Sequence, residues 1–260
     1  MLNPKEKCAV FLDIDGTLLG DSFTISDDNL KAIADARAKG HMVFINTGRS
    51  WGNIPDVLHE QFNLDGVISG SGAMITMNGE TVYKSCMSEE LIRRVAEYMF
   101  NNRQYWLIFE GLRNVYAIPN EIREKRSYEN IVDSPEDYKK ICSEDEIQVI
   151  AMGKIVTDDF KELFKDDLTV FQFDTYADCV IKGLNKAKGI EKVLELTGIK
   201  RENTIAIGDS NNDYDMLEYA GIGVAMANSQ QRILDMADYI TDSAKESGVA
   251  RAIEKLLLEK

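Results

Sequence analysis

Short apolar runs alternate with amphipathic stretches over the first seventy residues of the chain. The runs at 8–14, 42–45 and 66–69 are continuous, as in strands that are buried on both faces. Between the first two, Ser26 offers a helix N-cap and Gly40 a helix stop. A second helix is predicted over about 51–61. This strand–helix–strand–helix–strand order predicts a parallel sheet with right-handed crossovers.

The pattern changes after residue 70. Asn78 and Gly79 separate two short alternating segments, which predicts a hairpin with a type I′ turn. The following hundred residues contain short strands interleaved with helices, which is typical of an antiparallel α+β module. We predict strands at 105–110, 115–118, 147–152, 169–173 and 179–182, and helices near 88–101, 121–128, 135–141 and 157–164.

The alternation of strands and helices returns near the C-terminal end. Strands are predicted at 204–207, 221–224 and 239–241, and helices at 189–197, 213–219, 229–237 and 249–258. The predicted fold class is therefore α/β. A Rossmann-like parallel core formed by 1–83 and 184–260 is split by an inserted α+β domain at 84–183.

Composition narrows the possible partners. The 260 residues carry a net charge of −14, an acidic excess that disfavours nucleic acid and anionic lipid. No apolar stretch reaches the ~20 residues of a membrane span, and the four cysteines form no C-x-x-C pair. We therefore expect a cytoplasmic protein, a monomer or weak homo-oligomer, whose partner is a small metabolite.

Polar residues follow two of the predicted parallel strands, where ligands of such sheets collect. Asp13 and Asp15 stand two residues apart at the end of the first strand, and Gly16 allows the chain to turn away. The segment Asn46-Thr47-Gly48-Arg49 follows the second strand and offers a hydroxyl, a backbone N–H and a cation, which suit a phosphate.

Two further segments contain candidate site residues. Lys188 precedes Gly189 at a predicted helix start, where a cation opposes the helix dipole unless an anion lies nearby. Lys186 is the competing candidate, and a solvated lysine is the alternative for either. The segment from Gly208 to Asp213 follows the strand at 204–207, but it fails as a calcium loop because Tyr214 and Ala220 replace the glycine and glutamate that such a loop requires.

Together these segments resemble the signature of the haloacid dehalogenase superfamily, D-x-D-G-T, T-G-R, K-G and G-D-x-x-N-D, in the same order along the whole chain. The long insert is similar to the large cap of the Cof-type subfamily. The resemblance implies a Mg²⁺-dependent phosphatase of small phosphorylated metabolites, such as sugar phosphates, in which the insert covers the site and selects the substrate.

The resemblance also implies roles for individual residues. Asp13 is the implied nucleophile, which forms an aspartyl-phosphate, and Asp15 the general acid and base. The family motifs also imply which residues bind the phosphate and the metal. The implied phosphate ligands are Thr47, Gly48, Lys188 and Asn212, and the implied metal ligands are Asp13, Asp15 through its carbonyl, Asp209, and Asp213 directly or through water. Mg²⁺ suits this oxygen-only set and offsets four carboxylates that face one lysine.

Several alternatives remain open on the residues alone. A phosphosugar mutase on the same scaffold would pass the phosphoryl group to a sugar hydroxyl instead of water. A non-catalytic module that binds phosphate or Mg²⁺ is the alternative from another class. Arg49 either contacts the substrate or forms a salt bridge within the core. Four residues of the insert either contact a sugar or belong to a solvated hairpin: Glu110, Arg113, Asn114 and Tyr116.

Overall fold

The computed structural model describes residues 2–20, 24–60, 64–103, 105–120, 129–153 and 156–259. Its strands are β1 (Ala9–Leu12), β2 (Met42–Asn46), β3 (Gly66–Ser69), β4 (Met74–Met77), β5 (Glu80–Lys84), β6 (Leu107–Gly111), β7 (Val115–Ile118), β8 (Glu129–Ile131), β9 (Ile147–Gly153), β10 (Leu168–Gln172), β11 (Tyr176–Ile181), β12 (Thr204–Gly208), β13 (Ile222–Ala225) and β14 (Tyr239–Ile240). Its α-helices are α1 (Asp27–Ala38), α2 (Asp56–Glu60), α3 (Glu89–Asn101), α4 (Tyr138–Glu144), α5 (Asp158–Leu163), α6 (Lys186–Thr197), α7 (Tyr214–Tyr219), α8 (Gln231–Met236) and α9 (Gly248–Ile253). A π-helical turn at Glu254–Leu258 follows α9.

The chain divides into two compact units. The first, which we call the core, comprises Met1–Thr47, Glu60–Tyr83 and Asn185–Lys260. The second, which we call the insert unit, comprises Gly48–His59 and Lys84–Leu184. The sequence analysis counted 48–59 with the core, whereas these residues group with the insert unit. The chain therefore passes between the units directly after Thr47.

The core is built on an eight-stranded sheet in the order β14-β13-β12-β1-β2-β3-β4-β5. The strands from β14 to β3 run parallel, and β4 pairs antiparallel with β3. β1 lies between β12 and β2, so the segments that follow these three strands emerge at one edge of the sheet. This α/β architecture with a separate second sheet agrees with the predicted fold class.

Apolar packing holds the central strands of the core. All four residues of β1 are buried, as are all five of β2. The rings of Phe11 and Phe44 stack across the two strands, with their centroids 5.3 Å apart. Ile190 and Val193 of α6 belong to the same apolar cluster. Burial on both faces explains why these strands read as continuous apolar runs.

The insert unit contains a six-stranded sheet in the order β10-β11-β9-β6-β7-β8. Its pairs are antiparallel except for β7 and β8, which run parallel. Alternate residues, such as Leu107 and Phe109 of β6, pack with Leu91 and Val95 of α3 in one apolar cluster. The antiparallel α+β character predicted for this segment is thus present in the described residues.

Some predicted elements differ from the observed ones. The predicted helix at 51–61 is a 3₁₀ turn at Trp51–Asn53 followed by α2, because Ile54 is extended ahead of Pro55. A residue before proline is sterically excluded from the helical region. β8 was not predicted, since its three residues lack an apolar run. The helix predicted at 121–128 lies outside the described residues.

The hairpin turn agrees with its prediction. Asn78 and Gly79 both have positive φ, at 51° and 81°, which a type I′ turn requires.

Among the described residues, no helix has the length and apolarity needed to cross a membrane.

The stacked ring of Phe44 should be a main source of core stability. Replacing the fully buried Phe44 with alanine should lower the free energy of unfolding by about 3–5 kcal/mol, because a large cavity remains beside Phe11. Urea denaturation measures this loss. Val82→Ala is the control, since Val82 is 42% exposed, and it should change stability by less than about 0.5 kcal/mol. Equal losses in both variants would contradict this account of the core.

Candidate active site

The site begins where β1 ends. The backbone N–H of Asp13 still bonds to the Ile207 carbonyl of β12, at 3.0 Å, so Asp13 continues the strand by one residue. Its carboxylate is buried, at 4% exposure. A buried carboxylate is unfavourable unless a cation or hydrogen-bond donors compensate its charge.

Lys186 provides that compensation. Its Nζ donates to Oδ1 of Asp13 at 2.6 Å and to Oδ1 of Asp213 at 2.5 Å. The lysine is fully buried, and so is Asp213. Two carboxylates from segments 200 residues apart are therefore held together by one ammonium group.

The sequence predicts this role for Lys188, but the lysine that contacts Asp13 and Asp213 is Lys186. Helix α6 begins at Lys186, one residue after its N-cap Asn185, whose side chain accepts from the Lys188 N–H at 2.8 Å. Two residues along an α-helix point about 200° apart, so only one of the two lysines can face the sheet. Lys188 is exposed and its Nζ pairs with Glu191 at 2.6 Å.

A signal for Lys186 was present in the sequence. Ile190 and Val193 follow Lys186 by four and seven residues, and both are fully buried. Residues at this spacing share one face of a helix. Lys186 therefore lies on the apolar face of α6, whereas Lys188 shares the polar face with Glu191.

Asp213 organises the loop that follows β12. Its Oδ2 accepts the backbone N–H groups of Asp209 at 3.0 Å and Ser210 at 2.9 Å, while Oδ1 accepts from Lys186. The loop approaches Gly208 closely, because a Cβ there would lie 2.5 Å from the Asp213 carboxyl carbon. Asp213 thus fixes the position of Asp209.

Asp209 lies against the turn after β1. The Thr17 hydroxyl donates to its Oδ1 at 3.2 Å. Gly16 has a φ of 78°, and a Cβ at that position would be 2.4 Å from Oδ2 of Asp209. Glycine is required at position 16 both for this backbone conformation and for the approach of the carboxylate.

Burial and mutual repulsion shape the protonation of the cluster. Burial, followed by the charge of Asp213, raises the pKa of Asp13 well above its ordinary value, and Lys186 opposes that rise. The same two causes raise the pKa of Asp209 to about 7. Burial disfavours the charged form of Lys186, but Asp13 and Asp213 outweigh it and hold the pKa of the lysine above its ordinary value.

These three carboxylates fit a divalent cation. Asp13, Asp209 and Asp213 each offer an oxygen, and these oxygens lie within 4.8 Å of one another. One ammonium group can offset only one of their three charges when all three are ionised. Oxygen-only ligands are those that Mg²⁺ prefers. A hard cation is therefore a suitable resident of this group.

The other expected residues lie at or near the same edge. Asp15 is exposed, and its charge contributes to the raised pKa of Asp209. Thr47 is buried directly after β2, where its N–H bonds to the Ile68 carbonyl at 2.9 Å. Asn212 lies in the loop after β12, and its Oδ1 accepts from the Ser210 hydroxyl at 2.7 Å.

Gly48 and Arg49 belong to the insert unit, unlike Thr47. Arg49 is half-buried, and its Nη1 donates to the Asn53 carbonyl at 3.0 Å. The carboxylate whose pKa it influences is Glu110 of the insert unit. The described contacts of Arg49 thus include an interaction within the insert unit.

Sequence reasoning also missed Asn46, which helps to place the lysine. Its Nδ2 donates to the backbone carbonyl of Lys186 at 3.0 Å, and the side chain is fully buried. Asn185 caps α6 and donates to Asp215 of α7 at 2.8 Å. The start of α6 is thus tied both to β2 and to α7.

Comparison with known proteins identifies the class. The family model described as haloacid dehalogenase-like hydrolase matches residues 10–253. The chain is 33% identical over 258 residues to the 5-amino-6-(5-phospho-D-ribitylamino)uracil phosphatase YcsE of Bacillus subtilis (strain 168), covering 96% of this chain and 95% of that protein. It is 26% identical over 252 residues to the phosphoglycolate phosphatase of Methanothermobacter thermautotrophicus, covering 96% and 98%.

Solved structures agree with this result. The HAD subclass IIB sugar phosphatase BT4131 superposes with a TM-score of 0.82 at 30% identity, covering 96% of this chain and 98% of that one. The chain therefore belongs to the haloacid dehalogenase-like hydrolase family, and it is an enzyme of the hydrolase class.

The buried lysine should matter for stability as well as for the site. Lys186→Met should lower the free energy of unfolding at neutral pH by about 3–5 kcal/mol, because it leaves Asp13 and Asp213 buried without their cation. Lys188→Met, which removes only an exposed ion pair, should cost less than about 1 kcal/mol. Denaturant titration of both variants checks this, and a larger loss in the Lys188 variant would refute the assignment.

Proposed function

We propose that the protein is a phosphatase that hydrolyses small phosphorylated metabolites through an aspartyl-phosphate on Asp13. The observation that carries the proposal is the buried Asp13 carboxylate, which bonds at 2.6 Å to a buried ammonium group at the edge of a parallel sheet. The relatives include proteins named as phosphatases, which supports the same reaction class.

In the proposed reaction, an oxygen of Asp13 attacks the phosphorus and the bond to the leaving oxygen breaks. Asp15, the exposed carboxylate two residues along the chain, gives its proton to the departing alkoxide. Asp15 then accepts a proton from a water that attacks the aspartyl-phosphate. That second step frees Asp13 and releases inorganic phosphate.

The phosphoryl oxygens need donors that are fixed before the reaction. We assign this role to the hydroxyl of Thr47, the N–H of Gly48, the side chain of Asn212, and Lys186 in place of Lys188. Lys186 is already charged and directed to the nucleophile. It therefore attracts the dianionic ester to Asp13, which otherwise lies among carboxylates that repel it.

Mg²⁺ is the proposed cofactor. Asp13, Asp209 and Asp213 would hold it, the last directly or through water, with the backbone carbonyl of Asp15 as a further ligand. The ion would supply positive charge that offsets the phosphoryl oxygens. Because Oδ1 and Oδ2 of Asp213 already accept from Lys186 and from two backbone N–H groups, contact through water is the simpler arrangement for that residue.

The substrate class is proposed from chemistry and from the relatives together. Sugar phosphates are the first group to test, because BT4131 is named as a sugar phosphatase. A ribitylaminopyrimidine phosphate is the second, since YcsE and YitU of Bacillus subtilis are both named for it. A mutase would instead isomerise hexose 1- and 6-phosphates without releasing phosphate, so product analysis separates these two reactions.

The proposed location and assembly are those expected from the sequence. The free cysteines Cys8, Cys86, Cys142 and Cys179 are consistent with a reducing cytoplasm. We propose a cytoplasmic monomer or weak homo-oligomer that acts on a diffusible metabolite.

A phosphate-release screen tests the activity. The panel should contain hexose phosphates, phosphoglycolate, 5-amino-6-(5-phospho-D-ribitylamino)uracil and p-nitrophenyl phosphate. Wild type should release phosphate from at least one, and Asp13→Asn should lose at least about a thousandfold in kcat, because the amide is a poor nucleophile. Circular dichroism confirms that the variant is folded. A folded Asp13→Asn variant that releases phosphate at the wild-type rate would disprove the mechanism.

Removing divalent metal tests the cofactor. Activity should fall to background in excess EDTA and return when Mg²⁺ exceeds the chelator, because the ester would otherwise meet uncompensated carboxylates. Calorimetric titration with Mg²⁺ gives a readout independent of turnover, and Asp209→Asn should weaken that binding. Full turnover in EDTA would exclude the metal role.

A further inference from the structure

Glu110 is a buried carboxylate that the proposed reaction does not use. It lies in β6, an interior strand of the insert sheet, between Val115 of β7 and Val149 of β9. Only 8% of the residue is exposed. Neither valine side chain can donate a hydrogen bond to it, so the charge of Glu110 must be compensated from elsewhere.

The compensating groups come from one short segment, 49–53. The Ser50 N–H donates to Oε2 of Glu110 at 3.5 Å. The Asn53 side chain and the Arg49 guanidinium also favour the charged carboxylate and offset part of the rise in pKa that burial causes. Arg49 in turn donates to the Asn53 carbonyl at 3.0 Å, so a hydrogen bond links the two ends of the segment.

The same segment also contacts the insert sheet through Trp51 and Gly52. The Trp51 N–H donates to Oε1 of Gln148 in β9 at 2.8 Å. Gly52 lies so close to the turn after β6 that a Cβ there would be 2.8 Å from the Gly111 carbonyl. The segment is therefore an integral part of the insert unit, although it follows a core strand.

The chain enters this segment directly from the proposed phosphate ligands. Thr47 is anchored in the core by its N–H to Ile68 and by its carbonyl, which accepts from Ser71, each at 2.9 Å. Gly48 is the next residue and the first of the insert unit. The position of the Gly48 N–H thus depends on Thr47 before it and on the held segment after it.

We propose that Glu110 is a positioning residue, which fixes the segment 49–53 and through it the phosphate-binding Gly48. This inference rests on the proposed function, because it assumes that Gly48 binds the phosphoryl group. It places a requirement for activity on a residue that neither touches the phosphate nor belongs to the core. A carboxylate suits position 110 because the Ser50 N–H donates to it and the charge of Arg49 favours its ionised form.

Asp145 provides a matched control in the same unit. It is also a buried carboxylate, at 5% exposure, and it accepts the N–H groups of Leu112, Arg113 and Asn114 at 2.7–3.1 Å. It therefore holds the turn after β6, and its described hydrogen bonds do not involve the segment 49–53. A change there weakens the turn that Gly52 contacts, but it removes no hydrogen bond described between Asp145 and the segment 49–53.

The experiment compares the Glu110→Gln and Asp145→Asn variants of the full chain. Each variant is assayed at a temperature well below the midpoint of its thermal unfolding. Glu110→Gln should lower kcat/KM for p-nitrophenyl phosphate by roughly tenfold to a hundredfold, as expected when a binding group is misplaced. It should also raise the inhibition constant of inorganic phosphate and speed hydrogen exchange in peptides covering 48–53. Asp145→Asn should speed exchange near 112–114 and leave kcat/KM within about twofold of wild type.

The outcomes separate the possible failures. Unchanged kcat/KM and phosphate inhibition in Glu110→Gln would overturn the inference, and so would equal losses in both variants. A wild-type enzyme that releases phosphate from no ester of the panel and does not bind phosphate would disprove the proposed function and this inference with it. That failure would be visible before any variant is made.

Discussion

The arrangement of the core site depends on one ammonium group buried between two carboxylates. Lys186 bonds to Asp13 at the end of β1 and to Asp213 beyond β12, and all three side chains are almost completely excluded from solvent. Without that charge, burial and mutual repulsion would favour protonation of the carboxylates or their separation. A protonated Asp13 could not act as a nucleophile. The lysine therefore opposes protonation of Asp13, the proposed nucleophile, and holds its carboxylate in place.

The backbone around the lysine is built to hold it there. Asn46 binds its carbonyl, Asn185 caps its helix, and Asp213 uses its second oxygen to bind the loop that carries Asp209. The same contacts leave Asp209 near Asp13, where burial and then the charge of Asp213 raise the pKa of Asp209. A site of this kind attracts a hard cation and, with the cation bound, a phosphate dianion. Stability and proposed function thus rest on the same set of charges.

Most of the core was predictable because parallel strands buried on both faces produce continuous apolar runs, as at β1, β2 and β12. The position of Asp13 and Asp209 followed from the strand ends. Lys188 was preferred to Lys186 because Lys188 and Gly189 match the K-G element of the family signature and because the helix was predicted to begin at Gly189, three residues after its observed start. The cap Asn185, read together with Ile190 and Val193, would have set it correctly. The placement of 48–59 in the insert unit was not predictable, since it depends on long-range contacts with Glu110 and Gln148.

The central claim is that Asp13, held by Lys186, becomes covalently phosphorylated. The most direct measurement is mass spectrometry of rapidly acid-quenched reactions of Asp15→Asn, in which loss of the general base should slow release of the phosphoryl group. With p-nitrophenyl phosphate, a good leaving group, the account predicts one added phosphoryl group on the peptide that contains Asp13, and none when Asp13→Asn is introduced as well. Steady turnover with no phosphoryl group on that peptide, or equal labelling in the double variant, would contradict it.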